Sequence, residues 1–219
     1  MPATATYCGR RGDRNYRTDG GTDGGVLVGV RTTAVVLLAA DTRTSRGGVV
    51  TSDETRKLEA VHPSAAIGSP GALGDTASVV RELRAEVDRY EDRHGHRMRV
   101  PTLATVAGRK LRSRTPPGAT FVLGGVDETG SYVFTVGGEE GVLEADYAAE
   151  GSGREAAAGV LDRRYEESLS LETTRSIVAD ALESAVERDA RTGPAVDLAE
   201  IREGGVTGKR YDSIDAIRP

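Results

Sequence analysis

The chain is poor in several residues that commonly carry function. It has one cysteine, Cys8, so an internal disulfide framework is excluded and a reducing compartment is expected. It has no tryptophan, and only two phenylalanines and seven tyrosines. Lysine is scarce too: Lys57, Lys110 and Lys209 stand alone in a chain that otherwise uses arginine. There is no basic excess, because 34 acidic residues outweigh 29 basic ones to give a net charge of −5. A protein that binds nucleic acid through phosphate contacts needs the opposite balance. No apolar run reaches the length of a membrane span, and the first residues lack the apolar core of a signal peptide. The expectation is a soluble, cytoplasmic protein. Arginine in place of lysine, with abundant acid, points to a GC-rich, salt-adapted source.

At 219 residues the chain is long enough for one domain with a full core. Residues 1–24 are rich in Gly, Asp, Thr and Arg without apolar periodicity, which predicts a flexible segment. The domain is expected over 25–211, with a C-terminal tail at 212–219.

The organising stretch is Gly24 to Lys57. Val26, Leu27, Val28 and Val30 surround Gly29, Arg31-Thr32-Thr33 interrupts, and Ala34 to Ala40 follow before Asp41-Thr42-Arg43. Two β-branched runs around three polar residues predict a hairpin buried on both faces. Val49–Thr51 and Leu58 to Ile67 read as short strands, the latter turning at His62-Pro63, and Gly68-Ser69-Pro70-Gly71 is a loop.

From about Gly74, Val79, Val80, Leu83, Val87 and Tyr90 recur at helical spacing. A second helix opens at Pro101 and stops at Pro116-Pro117-Gly118. Three strands are expected at Thr120–Val126, Ser131–Val136 and Val142–Tyr147. Gly151-Ser152-Gly153 breaks the pattern before a helix through Ala157, Val160, Leu161 and Tyr165. Ser170 caps a last helix carrying Ile177, Val178, Ala181, Leu182, Ala185 and Val186, and strands at Val196–Ile201 and Gly204–Tyr211 close the chain. Helices in pairs between blocks of strands disfavour a doubly wound parallel sheet. The pattern fits an α+β fold with two facing antiparallel sheets, each under a helix layer. His94 and His96 read as surface residues, since a metal site needs three or four converging ligands.

The hairpin resembles the start of a proteasome β subunit. That family's mature chain opens with Thr-Thr-Thr-Val-Gly-Ile after a glycine, then runs to Ala-Ala-Asp-x-Arg and a later isolated lysine. Gly29, Asp41, Arg43 and Lys57 fall on these features without a gap. Gly151-Ser152-Gly153 lies where the family has Gly-Ser-Gly-Ser, with Arg154 in place of the second serine. Asp189 and Thr192 match the family's Arg-Asp-x-x-Ser-Gly, the threonine keeping a hydroxyl. The resemblance, from Gly24 to about Ile201, implies the four-layer αββα sandwich of the N-terminal-nucleophile (Ntn) hydrolases. It also implies that 1–24 is a propeptide, and that the chain is a divergent, archaeal-like member.

In that family an N-terminal threonine hydroxyl attacks the peptide. Its own α-amine, which titrates near ~8, accepts the proton. The matched supporting residues here are Asp41, Lys57, Ser152, Asp189 and Thr192, with Arg43 bracing the strand end and Gly68 or Gly71 as the oxyanion glycine. The nucleophile position holds Gly25, which can neither attack nor cut itself free. Thr22 would sit roughly 10 Å of extended chain upstream, and Thr32 and Thr33 belong to a turn. The resemblance thus implies a non-catalytic β-type subunit that assembles with α-type and other β-type subunits in stacked rings around unfolded polypeptide substrates, with no cofactor and no metal. The alternatives are a threonine-type endopeptidase with a compensating nucleophile, or a stand-alone scaffold of the same fold.

Overall fold

The computed structural model describes residues 24–71, 77–114, 119–137 and 141–219. The expectations for Cys8, Thr22 and the rest of the first 23 residues, and for the helix stop at 116–118, lie outside them.

The first hairpin forms as its composition requires. Strands β1 (Val26–Arg31) and β2 (Val36–Asp41) pair antiparallel, with Leu27 opposite Ala40 and Arg31 opposite Val36. Because side chains alternate along a strand, a run that is apolar throughout must be covered on both faces. Val26, Val28 and Val30 pack on one side against helices, while Leu27, Val36, Leu38 and Ala40 face the second sheet. Thr44–Arg46 (β3) and Val49–Ser52 (β4) make a small separate ribbon. Leu58–His62 (β5) and Ala65–Gly68 (β6) begin the second sheet.

Helices α1 (Ala77–His94) and α2 (Val100–Arg114) follow, and they cover that sheet through Val79, Leu83, Val87, Leu103 and Leu111. Strands β7 (Thr120–Asp127), β8 (Gly130–Gly137) and β9 (Gly141–Ala145) complete it in the order β5-β6-β7-β8-β9. Next come β10 (Tyr147–Gly151), α3 (Arg154–Arg164) and α4 (Leu171–Arg188). Strands β11 (Val196–Arg202) and β12 (Gly205–Tyr211) finish the first sheet, ordered β10-β1-β2-β11-β12. Every paired strand in both sheets is antiparallel. The result is the expected four-layer sandwich, with α3 and α4 outside one sheet and α1 and α2 outside the other.

Three local readings change. The strand expected at Val142–Tyr147 is two strands in different sheets. At Asp146 the chain leaves β9 and crosses to β1, held by a bond from Arg31 N–H to Asp146 O (3.0 Å) and by the Arg31 guanidinium on the Asp146 carboxylate. The ribbon strand β3 was missed because Thr-Ser-Arg offers no apolar alternation. Tyr165 caps α3 in an extended conformation rather than continuing it. Ser170 does cap α4, its hydroxyl accepting from Thr173 N–H at 3.1 Å.

Past β12, a 3₁₀ turn at Ile214–Ile217 buries Ile214 and Ile217 in the core beneath α4. Arg218 fastens it, donating to Asp180 at 2.5 Å and Glu183 at 2.7 Å.

Candidate active site

One end of the sandwich gathers the start of β1, the end of β2, the residue before β5, the end of β10 and the approach to β11. Asp41, last in β2, is 1% exposed and bonded on both oxygens. Its Oδ1 accepts from Val26 N–H and from the Lys57 ammonium, each at 2.7 Å. Its Oδ2 accepts from Gly193 N–H at 2.9 Å and Arg43 N–H at 3.0 Å. Four donors on one carboxylate offset the cost of burying it.

Lys57 is fully buried. Burial pushes its ammonium below its ordinary value, and attraction to Asp41 opposes that without reversing it. The pair stands where two buried charges stay tolerable only together.

Gly25 lies against this pair. Its φ is +101°, a region that L side chains rarely adopt. A Cβ built there would lie 2.1 Å from Lys57 Nζ, 2.6 Å from Asp41 Oδ1 and 2.9 Å from Pro70 O. The space for a nucleophile's side chain is therefore filled by the lysine. The Gly25 backbone is held from the other side: its N–H donates to Ser152 Oγ at 3.0 Å, and its carbonyl accepts from Gly153 N–H at 3.3 Å.

Ser152 also donates to Asp189. Asp189 accepts further bonds from Thr192 Oγ1 (3.0 Å) and from Arg191 through N–H (3.2 Å) and Nε (3.1 Å). Burial alone would raise the Asp189 carboxyl, but these donors outweigh it and hold the group below its ordinary value. Arg43 donates from Nε to Asp53 at 2.6 Å and from Nη1 to Ala190 O at 3.0 Å, tying the end of β2 to the loop before β11.

All five matched residues thus converge around Gly25. Of the two glycines weighed for the oxyanion role, Gly68 lies inside β6 between Leu58 and Val122, and only Gly71 lies in a loop. Thr32 Oγ1 bonds the backbone of Val35, a local turn contact at the far end of β1. Among the described residues no group of three or more His, Cys, Asp or Glu is placed to hold a metal, and His94 and His96 are exposed. Sequence reasoning missed the three backbone donors to Asp41, from Val26, Arg43 and Gly193. It named Gly151 within the matched motif but not its closeness to Gly25, whose O lies within 2.3 Å of the Cβ position of this glycine at φ +105°.

Two antiparallel sheets between helix pairs, with the first strand starting over a buried lysine–aspartate pair, define the Ntn-hydrolase class. The chain belongs to the proteasome subunit family, whose pattern matches residues 22–201. It is 41% identical over 195 residues to "Proteasome subunit beta 2" of Haloterrigena turkmenica, covering 89% of this chain and 82% of that one. It is 36% identical over 206 residues to "Proteasome subunit beta" of Haloferax volcanii, covering 94% and 83%. "Proteasome subunit beta 1" of Haloterrigena turkmenica is 39% identical over 195 residues, covering 89% and 80%. These relatives set the chain among the β-type subunits of the core particle.

Proposed function

We propose that this chain is a non-catalytic β-type subunit, built into stacked rings with α-type and active β-type subunits, which contributes chamber wall rather than peptide cleavage. The observation that carries this is Gly25: it has no hydroxyl, and the Lys57 ammonium stands where the hydroxyl-bearing side chain would begin. Asp41 and Lys57 act here as a clamp on the start of β1, and Ser152, Asp189 and Thr192 as the seat of the Gly25 backbone. The first 24 residues stay attached, because no hydroxyl at Gly25 starts an acyl shift. Unfolded polypeptides are the substrates of the assembly, cut by its other subunits, and no cofactor takes part. The setting is the cytoplasm. No helix among the described residues is long and apolar enough to cross a membrane, and the net charge of −5 disfavours nucleic acid.

The test is co-expression with an α-type and an active β-type subunit, followed by intact mass measurement of each chain in the assembled particle. A full-length chain in a ring-sized particle is expected. A chain that begins at Thr22, in a preparation whose other β subunits carry no nucleophile, would show a live enzyme and overturn the reading.

A further inference from the structure

A second constellation lies at the opposite end of the sandwich, where β5 turns into β6. Ser64 Oγ is 3.0 Å from His62 Nδ1, and His62 Nε2 is 3.0 Å from Glu91 Oε1 on α1. The tautomer follows from a third contact. Ser64 N–H, which can only donate, meets the same Nδ1 at 3.1 Å. Nδ1 is therefore the unprotonated nitrogen, and the proton rests on Nε2 facing the carboxylate. A turn needs only the backbone contact. The hydroxyl on that nitrogen goes beyond it, and Glu91 Oε1, which also accepts from Met98 N–H at 3.2 Å, is held in place behind the other.

Both His62 and Ser64 line a cavity of about 480 Å³, within the range of small-ligand sites. Tyr90, Met98 and Val126 give it apolar wall, and its charged lining is mixed, with Arg97 and Arg99 beside Asp127, Glu128 and Glu203. A nucleophile bonded to a base, a base oriented by a carboxylate, and an adjoining cavity are the marks by which a hydrolase site is recognised regardless of fold or chain order.

We propose that Ser64, His62 and Glu91 form a serine-hydrolase site for small acyl esters, separate from the Gly25 cleft. Ser64 Oγ attacks the ester carbonyl carbon, and its proton passes to His62 Nδ1, which releases the bond from Ser64 N–H. Glu91 accepts the Nε2–H of the resulting imidazolium and holds the ring in place. The carbon–oxygen bond to the leaving alcohol then breaks, and the alcohol takes the proton from Nδ1. Water repeats the sequence, freeing the acid and restoring Ser64. Arg97, which lines the same cavity, is assigned the role of cation toward the developing oxyanion. Glu91 is a positioning residue, since it acts through His62.

The proposal does not rest on the silent Gly25 site. The full-length chain is treated with a fluorophosphonate probe, the labelled peptide is located by mass spectrometry, and turnover of p-nitrophenyl acetate is measured in parallel. Label on Ser64 is expected. Ser64→Ala should abolish it and cut ester turnover on the order of a hundredfold, the scale of general-base assistance, with an unchanged melting temperature. Glu91→Gln should slow labelling about tenfold and shift its pH profile while leaving Ser64 the labelled residue. A folded wild-type chain that takes no label at Ser64, or a Ser64→Ala chain with undiminished turnover, overturns the site.

Discussion

Lys57 Nζ lies 2.7 Å from Asp41 Oδ1, with both side chains sealed from solvent, at the point where Gly25 leaves no room for a side chain of its own. This relation decides how the site is understood. A pair kept only as the remnant of chemistry could be lost piecemeal. A pair that is buried and bonded to the start of β1 and to the loop before β11 is part of the frame.

Removing one partner should therefore be severe. Lys57→Met leaves the Asp41 carboxylate buried without its counter-charge, which costs about 3–5 kcal/mol. Urea denaturation of the isolated chain measures this, and Asp41→Asn combined with Lys57→Met should cost less than the sum of the two single changes. A loss under about 1 kcal/mol for Lys57→Met would mean that the pair is not structural.

Restoring the missing hydroxyl should not restore the enzyme. In Gly25→Thr the new Cβ meets Lys57 Nζ at 2.1 Å, and the backbone φ of +101° adds strain on the order of 1–3 kcal/mol. The expected product is a destabilised, uncut chain with no peptidase activity in assembled particles. Intact mass checks this directly: a variant chain cut immediately after Gly24, so that it begins with the introduced threonine, would show that the shell around this position still works.

The layers and most elements were legible in the sequence because each carried its own periodicity. The doubly apolar β1 and β2, the α1 and α4 stripes and the paired helices together required two covered sheets. The site shell was legible through a resemblance spread over Asp41, Lys57, Ser152, Asp189 and Thr192, which the fold brings to one place. Three features left no such trace. The crossing at Asp146 is set by pairing with β1, a partner more than a hundred residues away. The ribbon strand at Thr44–Arg46 is polar. The backbone N–H groups of Val26 and Gly193 reach Asp41 whatever side chains they carry, so composition could not announce them.

Acid should weaken the seat of Gly25. The Asp189 carboxyl is held below its ordinary value of 3.8 in the folded chain, so the folded state binds that proton less readily than the unfolded one. Its stabilising contribution is full above the unfolded value and is lost as pH falls through the folded value, below about pH 4. Asp189→Asn lacks this titration, so its stability should fall less steeply on the acid side, while at neutral pH it is less stable than wild type. Denaturation midpoints from pH 7 down to pH 3 test the sign. Parallel acid limbs in the two proteins would rule out the carboxylate as the seat's anchor.

The last turn should prove part of the domain. Ile217 is fully buried among α4 and first-sheet side chains, and Arg218 ties the same turn to Asp180 and Glu183. Truncating a buried isoleucine to alanine costs about 2–5 kcal/mol, more where the surroundings cannot collapse into the space. The wall here is α4 on a five-stranded sheet, which is poorly placed to close up, so Ile217→Ala should fall in the middle of that range or above. Arg218→Ala should cost less, since its partners are partly solvated and exposed ion pairs contribute roughly 0–1 kcal/mol. The two effects separate packing from charge. If thermal melts showed Arg218→Ala to be the more damaging, the turn would be held by its ion pairs and its apolar contacts would be incidental.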